Sequence, residues 1–144
     1  MRNKKWRIFK RKGYLLILPP VLAWPAIQAQ AMQACQGDQV ITSCQASRQS
    51  LSGGNANWRV ADDQWLIFQN ANENTSGGAV FLAGGARFSV SPENNNGMTL
   101  FTNNHVSGEY NNGGAIFAKE NATINLDHVI FRNNIAGGYG GAIY

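Results

Sequence analysis

Asp62 and Asp63 are the only two acidic residues that are adjacent in the sequence. Two carboxylates held together could act as general acid and base in a glycoside hydrolase, or bind calcium in a polysaccharide lyase. Both kinds of chemistry need acids that converge on one point, whereas neighbours on a strand usually point apart. We therefore expect no catalytic residue, and we predict that both acids are solvated residues at a corner of the chain.

Two further patterns suggest metal binding, but each lacks part of what a metal site needs. His105 follows a Phe-Thr-Asn-Asn run and His128 precedes a Val-Ile-Phe-Arg run, so the two histidines do not occupy equivalent positions. The run from Gly137 to Gly141 is similar to a glycine-rich calcium-binding repeat, but no Asp follows its glycines to complete the set of oxygen ligands. We expect no metal and no other cofactor.

The N-terminal segment has the pattern of a cleavable export signal. A cationic run precedes an apolar stretch from Leu15 to Ile27 that contains three prolines, and Ala29 and Ala31 are small residues at the cleavage-site positions. We predict a signal peptide over residues 1–31, cleaved after Ala31, and export by the Sec machinery. A membrane anchor is a minor alternative, because spanning a bilayer takes roughly 20 apolar residues. A lipoprotein signal before Cys35 is a second minor alternative.

Cys35 and Cys44 are the two cysteines of the chain. Export would carry them into an oxidising compartment, where two such cysteines can form a disulfide that closes a short loop. A zinc site would need two further Cys or His ligands, and the sequence has none nearby. We predict a disulfide between Cys35 and Cys44 within an N-terminal cap segment, residues 32–55.

The net charge of +4 comes from the predicted signal peptide. From Met32 onward, five Arg and Lys residues stand against eight Asp and Glu residues, a net charge of −3. A protein surface that binds a phosphate backbone needs clustered cations. The charge distribution therefore excludes a nucleic acid as partner.

The elements that would position these residues are repeated segments. One is a Gly pair followed by a small, a β-branched and an aromatic residue; one is an alternating pentapeptide; one is an apolar run that ends in Asn. The Gly-pair segments begin at Gly77, Gly113 and Gly140. The pentapeptides begin at Ala56, Ala86 and Ala122, and the apolar runs begin at Trp65, Met98 and His128. The other spacings vary, but Ala79 to Ala86 and Ala115 to Ala122 are both seven residues apart. Such a constant spacing indicates a structural repeat.

Each repeat is about 30 residues long and contains three strand-length pieces, with no room for a helix. Short strands stacked in parallel at about 4.8 Å bury together a face that none could bury alone. The sequence therefore predicts an all-β fold, a right-handed parallel β-helix of about three rungs over residues 56–144. Phe68, Phe101 and Phe131 are expected to form one column of its core.

The alternation within each pentapeptide predicts a strand with one buried side. Matching the pentapeptides by sequence places Trp58, Phe88 and Ile124 at one equivalent buried position. Between the strands, Asn and Gly predominate, because both tolerate positive φ at corners and Asn amides can stack in ladders. In the first repeat Asn70 follows Phe68 one place earlier than expected, so we predict a differently shaped corner there.

The combination of Phe-x-x-Asn with Gly-Gly-Ala-Val/Ile resembles the repeat of the chlamydial polymorphic outer-membrane proteins, which enterobacterial autotransporter adhesins share. The residues of the motif are Phe101, Asn104, Gly113, Gly114, Ala115, Ile116, Phe131, Asn134, Gly140, Gly141, Ala142 and Ile143. The resemblance covers Ala56 to Tyr144. The segment from Ser43 to Gly53 is also similar to the start of an AIDA-like autotransporter passenger that is linked to biofilm formation.

This resemblance implies a β-helical passenger outside the cell and a C-terminal β-barrel that secretes it. No barrel follows Tyr144, so we expect an N-terminal piece of a longer protein. The full-length form would be secreted or lie at the cell surface or outer membrane, and this fragment in the periplasm. Its partners would be host or bacterial surface components, or a second copy of itself. The expected function is adhesion, autoaggregation or biofilm formation; an inert spacer is the alternative, and a β-helical polysaccharide lyase or hydrolase the second alternative.

Overall fold

The computed structural model describes residues 40–41, 44–46 and 48–144, and at positions 40, 41, 44 and 45 it describes the backbone alone. These residues lie in the unit formed by residues 31–144. The predicted signal peptide, its cleavage after Ala31 and Cys35 fall outside the described residues, as does the side chain of Cys44. The signal peptide and the disulfide therefore stay predictions.

The described residues form fourteen short strands, numbered here in chain order. They are β1 (Val40–Ile41), β2 (Cys44–Gln45), β3 (Gln49–Ser52), β4 (Asn55–Val60), β5 (Trp65–Gln69), β6 (Asn72–Glu73), β7 (Val80–Ala83), β8 (Arg87–Pro92), β9 (Met98–Thr102), β10 (His105–Val106), β11 (Ile116–Ala118), β12 (Thr123–Leu126), β13 (Val129–Arg132) and β14 (Ile135–Ala136). Nowhere in this part of the chain is there a helix of the length and hydrophobicity needed to cross a membrane.

The strands form four sheets, in which each strand pairs with the equivalent strand of the neighbouring coil. The first sheet has the order β1-β4-β8-β12, the second β2-β5-β9-β13, the third β6-β10-β14 and the fourth β3-β7-β11. The pairings are parallel. Because the chain visits the sheets in turn before it returns to the first, it forms stacked coils. The predicted all-β fold, a parallel β-helix, is confirmed.

Four rungs lie within the described residues, one more than the sequence predicted. The first rung comprises β1 to β3, and the other three span residues 55–83, 87–118 and 123–144. The first rung has no Gly-Gly-Ala motif, and for that reason the sequence repeat did not include it. Its strands nevertheless pair with the second rung, as β3 does with β7. Strand pairing thus already involves part of residues 32–55, whose role as a cap stays a prediction.

The core is built from alternate side chains that stack on their equivalents in the next rung. Phe101 lies between Phe68 and Phe131, with ring centroids 4.6 and 5.0 Å away. Phe131 is half-buried, whereas Phe68 and Phe101 are fully buried, as are the large apolar side chains of Leu66, Leu82, Phe88, Ile116, Val60, Val80, Val90 and Val106. Each such side chain contributes about 1.5–3 kcal/mol when it leaves water. The stacked columns are therefore what holds the rungs together.

In the first sheet, the pairing of the second rung differs from the predicted equivalence of Trp58 with Phe88. Trp58 pairs with Val90, and Ala56 pairs with Phe88, a displacement of two residues. The predicted equivalence of Phe88 with Ile124 holds. A displacement by two keeps the same residues on the core side of the strand. The matching of Trp58 with Phe88 was therefore wrong, although both side chains do lie in the core.

Candidate functional site: corners and outer faces of the coil

Asp62 and Asp63 lie at the corner between the first and second sheets. The carboxylate of Asp62 accepts hydrogen bonds from Asn94 Nδ2 at 2.9 Å and from the backbone N–H groups of Asn95 and Asn96 at 3.3 Å. These bonds, that from the Asn94 side chain first, lower the pKa of the Asp62 carboxyl. Asp63 adopts a φ of 58° in the turn. Asp62 therefore anchors the corner loop of the third rung.

The two histidines lie in different elements and contact different neighbours. His105 is in β10, and its Nδ1 lies 3.1 Å from Asn72 Oδ1. His128 precedes β13, and its Nδ1 lies 2.8 Å from Asp127 Oδ1. Within the described residues, no group of three or more His, Cys, Asp or Glu side chains is arranged to hold a metal ion.

Asn104 occupies a buried position at the corner that follows the second sheet. Its Nδ2 donates to the carbonyl oxygen of Phe68 at 3.1 Å, and its Oδ1 accepts the N–H of Ala71 at 3.2 Å. Asn134 repeats the pattern one rung later, with Nδ2 donating to Phe101 O and Oδ1 accepting the N–H of Asn104. Each amide thus supplies the donor and the acceptor that the backbone of the preceding rung needs at its bend.

The corner after Phe68 has the same backbone shape as its equivalents, contrary to the prediction. Asn70, Asn103 and Asn133 have φ values of 58°, 54° and 53°. Asn70 is therefore the counterpart of the first Asn in each later pair, and Ala71 takes the place of the second. The described part of the first rung has no strand in the third sheet. Ala71 has no side-chain amide, so within the described residues this contact between rungs begins at Asn104.

The Gly pairs occupy places where side chains do not fit. Gly77, Gly113 and Gly140 have φ values between 67° and 75°, a region that favours glycine. A Cβ at Gly113 would collide with the carbonyl oxygen of Ile116. A Cβ at Gly114 would collide with the carbonyl oxygen of the Gly at the equivalent position one rung later. The first Gly of each pair is thus required by the turn and the second by the close approach of the rungs.

The residues after each Gly pair differ in burial between rungs. Ala115 and Ile116 are completely buried. Ala142 is half-buried, and Ile143 is 39% exposed and contacts the preceding rung through a bridge to Ile116. Gly141 presents its carbonyl oxygen to Gly114. The same motif therefore packs fully inside the stack and incompletely in the fourth rung, where no described rung covers it.

The outer side of the second sheet is apolar over three rungs. Trp65 pairs with Met98, and Ile67, Leu100 and Ile130 pair across β5, β9 and β13. Trp65 is 38% and Ile130 41% exposed, and the other three are half-buried. We call these five residues the apolar outer face. Contiguous exposed apolar residues are typical of surfaces that bind a partner.

Sequence reasoning missed the apolar outer face, although a signal was present. The run Trp65 to Phe68 is apolar at every position, not at alternate positions. A strand of a β-helix has one buried side, so a continuous apolar run means that the outward side is apolar too. The pentapeptides, by contrast, alternate as expected for one wet side.

The outer side of the first sheet has the opposite character. Asn57, Ser89 and Asn125 pair across β4, β8 and β12, and Asn125 Nδ2 donates to Ser89 Oγ at 3.4 Å. Asn55 pairs with Arg87 in the neighbouring column. We call Asn57, Ser89 and Asn125 the polar outer face. Side chains of this kind remain hydrated and give little free energy of association.

A recess of about 290 Å³ opens at the edge of the third sheet, where β6 is the last strand. Its lining includes Arg48 and Glu73. The Arg48 guanidinium is already bound, because its Nε donates to Gly77 O at 3.0 Å and an Nη donates to Ser76 O at 3.1 Å. Arg48 therefore fastens the first rung to the second, and the described residues that line the recess offer no further cation for an anionic ligand.

Two comparisons place the chain among known proteins. Residues 98–119 and 128–144 match the Chlamydia polymorphic membrane protein repeat. Over 141 residues the chain is 61% identical to the probable autotransporter YfaL of Escherichia coli (strain K12). No solved structure matches. The match to YfaL covers 95% of this chain and 11% of that relative, so the chain spans about a tenth of the length of the curated relative it matches. The resemblance predicted from the sequence is confirmed: the chain is similar to an autotransporter, and part of it matches the Chlamydia polymorphic membrane protein repeat.

Proposed function

We propose that the chain is part of a passenger domain that an autotransporter displays at the cell surface, where it acts in adhesion, autoaggregation or biofilm formation. The identity to the probable autotransporter supports export to the cell surface or outer membrane. Export begins with the Sec machinery acting on residues 1–31. The stacked rungs suit this role, because a solenoid extends by adding repeats and carries its variable loops on the outside.

The observation that carries the binding role is the apolar outer face. An inert spacer needs a hydrated surface all round, as the polar outer face provides. On the second sheet, however, apolar side chains line up in register at Ile67, Leu100 and Ile130. Burying such side chains against a partner is favourable by about 25 cal/mol per Å². This contrast favours an adhesive passenger over the spacer.

A second passenger is the partner that the charges bordering this face favour. Asp127 lies just before β13, and Arg132 lies at its end, so the two borders of the sheet differ in sign. Two copies packed face to face with their coils running in the same direction bring Arg132 of one against the acidic border of the other. Copies running in opposite directions bring like charges together. Host or bacterial surface components are the alternative partners.

The hydrolase or lyase alternative has less support. Asp62 is engaged with the loop of residues 94–96, and hydrogen bonds lower its pKa, so it suits a charged anchor better than a general acid. No described acid joins Asp62 and Asp63 in a group able to hold a metal ion. We therefore propose no enzymatic activity for the chain.

A chimera tests the proposal. The stretch of the E. coli relative that matches this chain is replaced by the chain, and cells of a non-adherent strain are scored for settling, biofilm and surface exposure of the passenger. We expect aggregation or attachment from the chimera. We also expect the 144-residue chain expressed alone to stay in the periplasm, without anchoring to the outer membrane.

Matched variants separate the adhesin from the spacer. Ile67→Asn with Leu100→Asn removes the centre of the apolar outer face, and Asn57→Ser with Ser89→Asn changes the polar outer face to the same extent. The first pair should abolish settling while surface exposure stays constant, and the second pair should leave settling unchanged. Equal settling by both pairs, or none by the unaltered chimera, contradicts the proposal. Polysaccharide cleavage that is lost in Asp62→Asn would instead establish the enzyme alternative.

A further inference from the structure

The two Asn-Gly pairs of the sequence, Asn96-Gly97 and Asn112-Gly113, both lie at corners of the coil. In such a pair the backbone nitrogen of Gly can attack the side-chain amide carbon of Asn and close a five-membered succinimide ring. Gly favours this reaction because it has no Cβ to hinder the approach. The reaction also needs a side-chain amide and a backbone N–H that are not held by other groups.

At Asn96-Gly97 neither reacting group is held by a hydrogen bond to a described residue. Asn96 is exposed in the corner loop of the third rung. Its backbone N–H is held by Asp62 Oδ1 at 3.3 Å, but within the described part of the chain its side-chain amide has no hydrogen-bond partner. The N–H of Gly97 likewise donates to no described residue. Gly97 is buried against the second rung, but within the described residues no hydrogen bond has to break before its nitrogen attacks the Asn96 amide.

In the Asn112-Gly113 pair, by contrast, both reacting groups form hydrogen bonds. Asn112 Oδ1 accepts the backbone N–H of Tyr139 at 2.7 Å, and the N–H of Gly113 donates to the carbonyl oxygen of Tyr139 at 2.9 Å. The amide and the nitrogen are thus both held by the next rung. Closing the ring at this pair would break two hydrogen bonds between rungs.

We propose that Asn96 is a site of spontaneous modification, where the side-chain amide is converted to a carboxylate, while Asn112 is protected by the fold. The bond from Gly97 N to Asn96 Cγ forms and the Cγ–Nδ2 bond breaks, and Nδ2 leaves as ammonia with the proton of the Gly97 N–H. Water then opens the ring at either carbonyl, giving aspartate or isoaspartate at position 96. No oxidation or reduction is involved.

The close packing of Gly97 links this chemistry to the fold. A Cβ built at Gly97 would collide with the carbonyl oxygen of Val60 in the rung below, so only glycine fits there. The susceptible pair is thus a consequence of how this corner packs. Isoaspartate lengthens the backbone by one carbon where there is no spare room, and either product adds a negative charge beside Asp62. We expect the modified corner to move away from the second rung.

The experiment follows both pairs in the folded protein at mildly alkaline pH, by peptide mapping with mass spectrometry and isoaspartate-specific enzymatic methylation. Asn96 should convert about tenfold or more faster than Asn112, because ring closure at Asn112 must first break two hydrogen bonds. A tenfold difference in rate corresponds to about 1.4 kcal/mol in the barrier. In the denatured chain the two rates should approach each other. Comparable rates in the folded protein, or a rate difference that persists after denaturation, overturn the proposal.

Asn96→Gln is the matched control, because attack on the longer amide would have to close a larger ring. This exposed substitution should remove the fast conversion and leave Asn112 unchanged. If the fast product persists in Asn96→Gln, it arises at another residue and the assignment to Asn96 is wrong. Gly97→Ala is unsuitable as the control, since its Cβ would displace the second rung.

Discussion

The corners at the two ends of the second sheet are built in opposite ways. The corner after the sheet is closed by a buried amide, Asn104, that binds the backbone of the neighbouring rung. The corner before the sheet is held by an exposed carboxylate, Asp62, that binds a loop of the next rung. The corner after the sheet has the same length in each of the second to fourth rungs, whereas the length of the corner before the sheet varies. A buried amide must meet its partners with one geometry, while a solvated carboxylate can be replaced by water.

The largest loss of stability is expected from a substitution in the phenylalanine column that precedes the buried corner. Phe101→Ala opens a cavity between Phe68 and Phe131 and should cost about 3–5 kcal/mol in the free energy of unfolding. Chemical denaturation of a version extended by further repeats measures it, with an exposed substitution, Asn95→Ala, as control. A variant that unfolds with the parent would remove Phe101 from the core.

Asn104→Ala tests the buried corner itself. It leaves the carbonyl of Phe68 and the N–H of Ala71 without partners, and each buried group left unpaired costs about 1–3 kcal/mol. Ala71→Asn is the converse variant. The described first rung has β2 beneath β5 but no strand in the third sheet, so the new amide should form at most one of the two bonds that Asn104 forms and give only a small gain in stability. A gain from Ala71→Asn as large as the loss from Asn104→Ala would show that the rung beneath does offer both partners.

The predicted disulfide would stabilise the first rung. Within the described residues, neither the Asn104 amide nor the Asp62 carboxylate binds that rung. Cys44→Ser should lower the free energy of unfolding by at most about 2–3 kcal/mol, by the chain-entropy estimate for a short loop. Mass spectrometry of exported protein checks the premise. Two free thiols would refute the disulfide, and an N-terminus at Met1 would refute cleavage after Ala31.

Thr99 lies in β9 between the two corners and is a buried polar residue of a third kind. Its hydroxyl has no hydrogen-bond partner among the described residues. Thr99→Val keeps the shape and removes the unpaired group, so it should raise the free energy of unfolding by about 1 kcal/mol or more. Thr102→Val, elsewhere on the same strand, is a useful reference. Destabilisation by Thr99→Val would mean that the hydroxyl has a partner.

The smallest effect is expected at the exposed corner. Because hydrogen bonds lower the pKa of Asp62 in the folded protein, its stabilising contribution is present above its unfolded pKa of about 3.8 and is lost as pH falls through the lower folded value. Asp62→Ala should therefore melt slightly below the parent at neutral pH, and the two melting curves should converge in acid. A difference in melting temperature that is independent of pH would mean that the carboxylate charge has no part in anchoring the loop.

Several features of the fold could be predicted from particular residues. The stacked Phe68, Phe101 and Phe131 followed from one apolar run repeated in register, because equivalent residues of a solenoid must stack. The register of Trp58 could not be predicted, since positions two residues apart face the same side and packing decides between them. The apolar outer face was accessible to sequence reasoning but requires knowing which side of each strand is outward.

The order of apolar runs, Gly pairs and Asn corners by itself determined the parallel β-helix, because strands this short bury a face only by stacking on their repeats. Tertiary structure alone decided what each polar residue does. Asn104 and Asn96 are the same residue type, yet Asn104 is buried with its amide bound by the preceding rung, whereas Asn96 is exposed and its amide has no partner among the described residues. The partners of such a side chain lie about 30 residues away along the chain, and the stacking of the rungs determines which they are. The local sequence around the side chain therefore does not predict them.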